Sequence, residues 1–222
     1  MPTAHKVILY TRALKYRSPK KLTSRRDAVS PAAALGDEAT RIVAARNGDA
    51  SAFNQLVLEY QELAFNVALR LVGDADTAAD VAQDAFLSAF RHLDQFKGGS
   101  FRSWLLRIVT NASYDVLRSS RHKKGQSLDE MAEDTSFDVP DPTDLPETVT
   151  LRHEFAEKIQ QGLETLPLDQ RAVLVLYDIH GLSYDEISAA LDVNLGTVKS
   201  RLSRARARLR DYLMQHPELW KD

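Results

Sequence analysis

From Phe53 onward, apolar residues return at three- and four-residue steps: Phe53, Leu56, Tyr60, Ala64, Val67 and Leu71. That recurrence matches the α-helical turn and gathers one apolar stripe on one face. The stripe stops at Gly73-Asp74. A second stripe, through Val81, Ala85, Phe86, Ala89, Phe90 and Leu93, predicts a helix over 76–94. Phe96-Lys97-Gly98-Gly99-Ser100 then reads as a loop whose paired glycines allow a tight backbone. Ser100 is placed to cap a third helix running to about Ser119, with Trp104, Leu105, Ile108, Val109, Ala112 and Val116 as its apolar members.

A second group of stripes begins beyond residue 150. Phe155, Ile159 and Leu163 predict a helix ending near Leu166-Pro167, and another runs from about Leu168 to His180 and stops at Gly181. Ser183-Tyr184-Asp185-Glu186 has the spacing of a capping box, in which the Ser oxygen and the Glu carboxylate each satisfy an amide at the helix start. The helix it opens buries Ile187, Ala190 and Leu191. After the short turn Asp192-Val193, Asn194 is placed to cap a last helix with the stripe Val198, Leu202, Ala205 and Leu209. With nine Gly and eight unevenly placed Pro in 222 residues, long stretches lack helix breakers. The predicted fold class is all-α: two small helical domains joined by a flexible linker.

Charge supplies the domain boundaries. The formal net charge is only −2, but it is a sum of opposed blocks. Residues 126–150 hold eight acids, three Pro and no Lys or Arg, too little apolar surface to offset the entropy of ordering them. The reading is a basic extension without ordered structure over 1–37, a first helical domain over 38–122, an acidic linker over 123–150, and a second helical domain over 151–215. The extension carries eight cations and no acid within residues 1–26. A basic arm, an organellar transit peptide, a disordered tail and a translation start placed too early all fit it. Its apolar core, Val7-Ile8-Leu9-Tyr10, is too short for a secretory signal. No apolar run approaches the roughly 18 residues a membrane span needs. The absence of Cys removes disulfides, thiolate catalysis and Cys-based zinc sites. Six His and 31 acids form no HExxH, and neither a Gly-rich phosphate loop nor a nucleophile motif is present.

The last helix concentrates Lys199, Arg201, Arg204, Arg206, Arg208 and Arg210, with no acid among them. At 100° per residue, Val198, Leu202, Ala205 and Leu209 face inward. Thr197, Arg201, Arg204 and Arg208 share one flank, with Ser200 at its edge; Lys199, Arg206 and Arg210 share the other. A short helix, a tight turn and a polar-faced helix form a helix-turn-helix. The small hydrogen-bonding residues at the start suit a major groove, and the arginines suit phosphates. A salt-bridged, solvated helix face is the competing reading, and it would interleave acids with the cations. In the first domain Arg107, Asn111, Tyr114 and Arg118 form a polar stripe beside Phe96, Lys97, Phe101 and Trp104. Aromatics among cations suit stacked, unpaired bases; the same aromatics equally suit a core.

Three blocks in order resemble the extracytoplasmic-function class of sigma-70 factors over residues 45–213. DADTAADVAQDAFLSAFRHL is similar to region 2.2, SFRSWLLRIVTNASYDVLRSSRHKK to regions 2.3–2.4, and GLSYDEISAALDVNLGTVKSRLSRARARLR to region 4.2. The resemblance implies a cytoplasmic initiation factor with no catalysis, cofactor, metal or small-molecule substrate. Its partners would be the clamp and flap of core RNA polymerase, promoter DNA both duplex and single-stranded, and an anti-sigma protein able to hold it at the inner membrane face. It implies that Thr197, Lys199, Ser200, Arg201, Arg204 and Arg208 contact the −35 duplex. Lys97, Gly98, Gly99 and Ser100 would capture an extruded −10 base, with Arg107 and Asn111 lining the strand. Asp80, Gln83, Asp84 and Phe86 would meet core polymerase. Asp192 departs from the family pattern, standing in a turn where many relatives have Gly. A DNA-binding regulator without polymerase docking is the alternative; it leaves the 76–94 helix unexplained.

Overall fold

The computed structural model describes residues 31–124 and 146–216, and among these every regular element is helical. Helices α1 (Pro31–Arg46), α2 (Ala50–Val72), α3 (Ala75–Arg91) and α4 (Phe101–Lys124) form the first domain. Helices α5 (Pro146–Glu164), α6 (Leu168–Leu174), α7 (Tyr184–Leu191) and α8 (Leu195–Met214) form the second. Most of the basic extension and residues 125–145 of the linker lie outside the described residues.

The expected stop at Gly73 and caps at Ser100, Ser183 and Asn194 are present as geometry, joined by caps at Asp49 and Asp74 that were not expected. Asp49 accepts from the amides of Ser51 and Ala52 at the start of α2. Gly73 ends that helix at φ 89°, and Asp74 caps α3 through the Thr77 amide at 2.6 Å. Ser100 Oγ accepts from the Ser103 amide, Ser183 and Glu186 complete the capping box, and Asn194 accepts from the Thr197 amide at 2.8 Å. Each satisfies an amide that the first helical turn leaves without a partner.

Several boundaries differ from the expectation. Helix α1 begins at Pro31, so the last seven positions of the basic extension are helical. The linker is shorter than its acidic composition suggested: α4 continues to Lys124, and α5 starts at Pro146, whose fixed φ suits a first helical residue. The second stripe ends its α-helix at Arg91 and closes with a 3₁₀ turn at Leu93–Gln95. That turn is pinned by Arg46, whose Nε donates to the Leu93 carbonyl at 2.9 Å. Phe90 was expected to be buried and is 45% exposed. The expected helix to His180 widens into a π turn at Val175–Ile179.

Leu56, Leu71, Phe101, Leu105 and Leu106 are fully enclosed in the first domain, and Ile159, Leu163, Leu176 and Ile187 in the second. The two domains are packed together. Helix α4 lies along α7, and α2 meets α5 and α6. At the junction sits Arg171, only 3% exposed, donating to the carbonyls of Leu71 and Glu164. Those carbonyls belong to the C-terminal turns of α2 and α5, where no amide of the same helix is available and the helix dipole is negative. Beside them Gly73 is closely approached: a Cβ there would stand 2.4 Å from Glu164 Oε1.

Arg171→Met keeps most of the side-chain volume and removes every donor. It should lower unfolding stability by about 2–3 kcal/mol, the cost of leaving buried acceptors unpaired. Urea denaturation of the full chain measures this.

Candidate nucleic-acid interface

Helix α8 buries Val198, Leu202, Ala205, Leu209 and Leu213, as the periodicity required, and leaves Lys199, Arg204, Arg208 and Arg210 exposed. Gly162 lets α5 approach this stripe: a Cβ there would lie 2.6 Å from Leu209 Cδ1. Lys199, Ser200, Arg204 and Arg208 are exposed, and Thr197 is half-buried. Ser200 Oγ donates to the Thr197 carbonyl at 3.0 Å, and the Arg204 guanidinium reaches Ser200 Oγ at 3.1 Å. The first two turns therefore present an ordered row of hydroxyls and one guanidinium.

Two cations are engaged from elsewhere in the fold. Arg201 Nε lies 2.9 Å from Asp169 of α6. Arg206 is held by both oxygens of Asp178, at 2.9 and 2.6 Å, and Asp178 is only 3% exposed. This bidentate pair raises the Arg206 guanidinium above its ordinary range, against the opposing effect of burial. Arg206 also lies over Tyr177, which stacks on Tyr184 at 4.8 Å, and Lys199 lies over Tyr184. The second cationic flank is thus not uniformly outward-facing: Arg206 is part of the packing. No acid lies between Lys199 and Arg210; Asp169 of α6 and Asp178 of the π turn supply two, and Asp211, the next residue along α8, lies 3.1 Å from Arg210.

In the first domain Lys97, Gly98, Gly99 and Ser100 form an exposed loop, with both glycines at positive φ, 94° and 87°. Such a backbone admits only small residues without strain. The neighbouring aromatics resolve in favour of the core. Phe96 and Phe101 are 5% and 0% exposed and pack edge-on at 5.8 Å, with Trp104 and Tyr60 joining the cluster. They hold the loop from beneath and offer little face for a base. Arg107 and Asn111 are exposed on α4. Arg107 is not free: its Nη2 lies 3.0 Å from Asp192 Oδ2, across the domain boundary. Asp192 itself takes φ 54° and ψ 48°, the left-handed conformation a glycine would supply, so the turn keeps its shape.

Asp80, Gln83 and Asp84 are exposed along α3, while Phe86 is 8% exposed and can offer only an edge. Phe86 lies in the wall of an apolar groove between α2 and α3, together with Val57, Leu58, Leu87 and Phe90. Leu58 and Leu87 are 69% and 46% exposed. Sequence reasoning missed this groove, although Leu58 and Leu87 fall outside both buried stripes, which was a usable signal. Among the described residues no group of three His, Asp or Glu side chains is placed to hold a metal, and no helix is long and apolar enough to cross a membrane.

Residues 56–123 match the family model for sigma-70 region 2, and residues 156–209 match that for sigma-70 region 4. The extracytoplasmic-function (ECF) RNA polymerase sigma factor SigE of Mycolicibacterium smegmatis is 38% identical over 165 residues, 74% of this chain and 62% of that protein. The RNA polymerase sigma-H factor of Pseudomonas aeruginosa is 39% identical over 72% of this chain and 86% of its own length. Among solved structures, the sigma factor RpoE of Bartonella quintana, crystallised with the anti-sigma factor NepR, superposes with a TM-score of 0.60 at 28% identity, covering 73% of this chain and 96% of that one. Both sigma regions occur in order, each on one of the two helical domains, and the chain belongs to the extracytoplasmic-function class of the sigma-70 family.

Proposed function

We propose that the chain binds core RNA polymerase and directs it to promoters, with α8 reading the −35 duplex and the 97–100 loop with α4 holding the unpaired −10 strand. The observation that carries this reading is the outer face of α8. It displays Thr197, Lys199, Ser200, Arg204 and Arg208 on a helix fixed by a complete apolar stripe and a helix-turn-helix cap. Thr197 and Ser200 offer hydrogen bonds to base edges, and the cations neutralise phosphates. The −10 bases would enter over Lys97, Gly98, Gly99 and Ser100 and run along Arg107 and Asn111. Opening of the duplex would be driven by binding energy alone, with no bond made or broken on this chain.

Core polymerase would dock on α2 and α3. Asp80, Gln83 and Asp84 supply a polar rim, and Leu58, Leu87 and Phe90 supply the apolar centre that protein interfaces need. The work is done in the bacterial cytoplasm, where the polymerase is. The Bartonella relative is crystallised with an anti-sigma factor; by analogy, this chain is held in check by a protein of that kind.

The reading is tested by transcription in vitro with sigma-free core polymerase on fragmented host genomic DNA. Discrete new 5′ ends sharing upstream elements are expected. Duplex binding without core association or start sites would contradict it. On promoters so identified, Arg201→Ala should cost about 1–3 kcal/mol of discrimination at one −35 position, measured by competition binding of the holoenzyme. Leu87→Asp should weaken association with core about tenfold or more, by placing a charge in the centre of the docking groove; fluorescence anisotropy of the labelled chain measures it.

A further inference from the structure

We propose that Tyr184 is a positioning residue for Lys199: a stacked pair of tyrosines, anchored through Arg206 on the buried Asp178, holds the Lys199 ammonium ready for the −35 duplex without neutralising it. The proposal rests on reading Lys199 as a contact of that duplex.

The cations at the start of α8 are held in three different ways. Arg201 is paired with Asp169 at 2.9 Å, so its charge is already met within the chain. Arg204 is turned back on its own helix, donating to the Ser200 carbonyl at 3.2 Å and to the Ser200 hydroxyl at 3.1 Å. Lys199 forms no ion pair among the described residues and lies over a ring instead, its Nζ 5.8 Å from the centre of Tyr184. An aromatic face attracts a cation through its quadrupole and carries no net charge. The ammonium therefore keeps its full positive charge. Those of its three N–H donors that point away from the ring stay available to a phosphate or a guanine edge.

The ring is itself built into the fold. Tyr184 is the first residue of α7, directly after the Ser183 cap, so the capping box fixes its backbone. It stacks on Tyr177 at 4.8 Å, with 14° between the ring planes. Arg206 lies over Tyr177 at 5.2 Å and is gripped by both oxygens of Asp178. Tyr177 and Asp178 are neighbours in the π turn, and both engage the same guanidinium.

Lys199 and Arg206 stand seven positions apart on one flank of α8, about 10 Å along its axis. The two stacked rings bridge that interval. A column of contacts thus runs from a buried carboxylate to an exposed ammonium. A lysine extended into open solvent loses rotamer freedom when it binds, and one already resting on a fixed ring loses less.

Competition binding of the holoenzyme to the mapped promoters, repeated over a range of salt, tests this. Lys199→Met keeps most of the side-chain length and removes the charge. It should weaken binding and lower the slope of log affinity against log salt by about one. Tyr184→Leu keeps apolar bulk and removes the aromatic face. It should weaken binding about two- to fivefold, the range an exposed cation–π contact supports, with the salt slope unchanged. Tyr184→Phe retains the ring and should restore the affinity. In the Lys199→Met background, Tyr184→Leu should cost nothing further. A Tyr184→Leu loss that persists in full without the Lys199 charge would overturn the proposal and leave the −35 reading standing. Binding and salt slope unchanged in Lys199→Met alone would remove Lys199 from the −35 contacts, and the proposal with it. Should Tyr184→Leu fail to fold, the native chain decides. Its Lys199 ε-methylene protons should be shifted upfield by the ring current in a ¹H–¹³C spectrum, and random-coil positions there would overturn the proposal.

Discussion

One buried guanidinium organises the molecule. Arg171 stands where α2 and α5 both end, and each end presents carbonyls that its own helix cannot satisfy. In the nearly dry junction those carbonyls need a donor, and a cation suits the negative ends of two helix dipoles. A single side chain meets both needs at once, so the C-termini of one helix from each domain are drawn to the same point. Gly73 permits the approach by offering no side chain, and Arg70 adds a bond to Gln160 at 3.3 Å. Once these ends are fixed, α4 and α7 lie alongside each other, and the exposed faces of α8 and of the 97–100 loop inherit their relative position from that packing.

The consequence is a tension between folding and binding. Arg201 and Arg107, both assigned to DNA on the family pattern, are spoken for by Asp169 and Asp192 in the packed chain. Both pairs are at least partly solvent-exposed, so each is weak and salt-sensitive. Phosphates can compete for such cations, whereas Arg206, gripped by the buried Asp178, is held in place whatever binds. The cationic helix thus divides into groups available to a polyanion and one that maintains the fold. Burial raises the Tyr114 hydroxyl to about 12, so it keeps its proton and remains a donor across the boundary at any ordinary pH.

Local signals were legible in the sequence because they act over one or two helical turns. The capping box at Ser183, the caps at Ser100 and Asn194 and the stop at Gly73 are all short-range and are present, and the stripes are buried or half-buried apart from Phe90 and Val116. Long-range pairings were not legible. Nothing near Arg171 shows that its partners are carbonyls 100 and seven positions away. The acids opposite α8 escaped notice because they were sought within the helix, while Asp169 and Asp178 arrive from α6 and the π turn. Phe96 and Phe101 have the composition of a stacking site and the position of a core, and only packing decides between the two. Asp192 was visible as a departure from the family pattern; its partner was not.

The central claim is that the free chain holds its two helical domains together as one body around Arg171. Backbone ¹⁵N relaxation tests it most directly, because domains joined only by a linker tumble independently. A common rotational correlation time for residues of α2–α4 and α6–α8, appropriate to the whole chain, is the predicted result. Two distinct and shorter times, one for each domain, would contradict it.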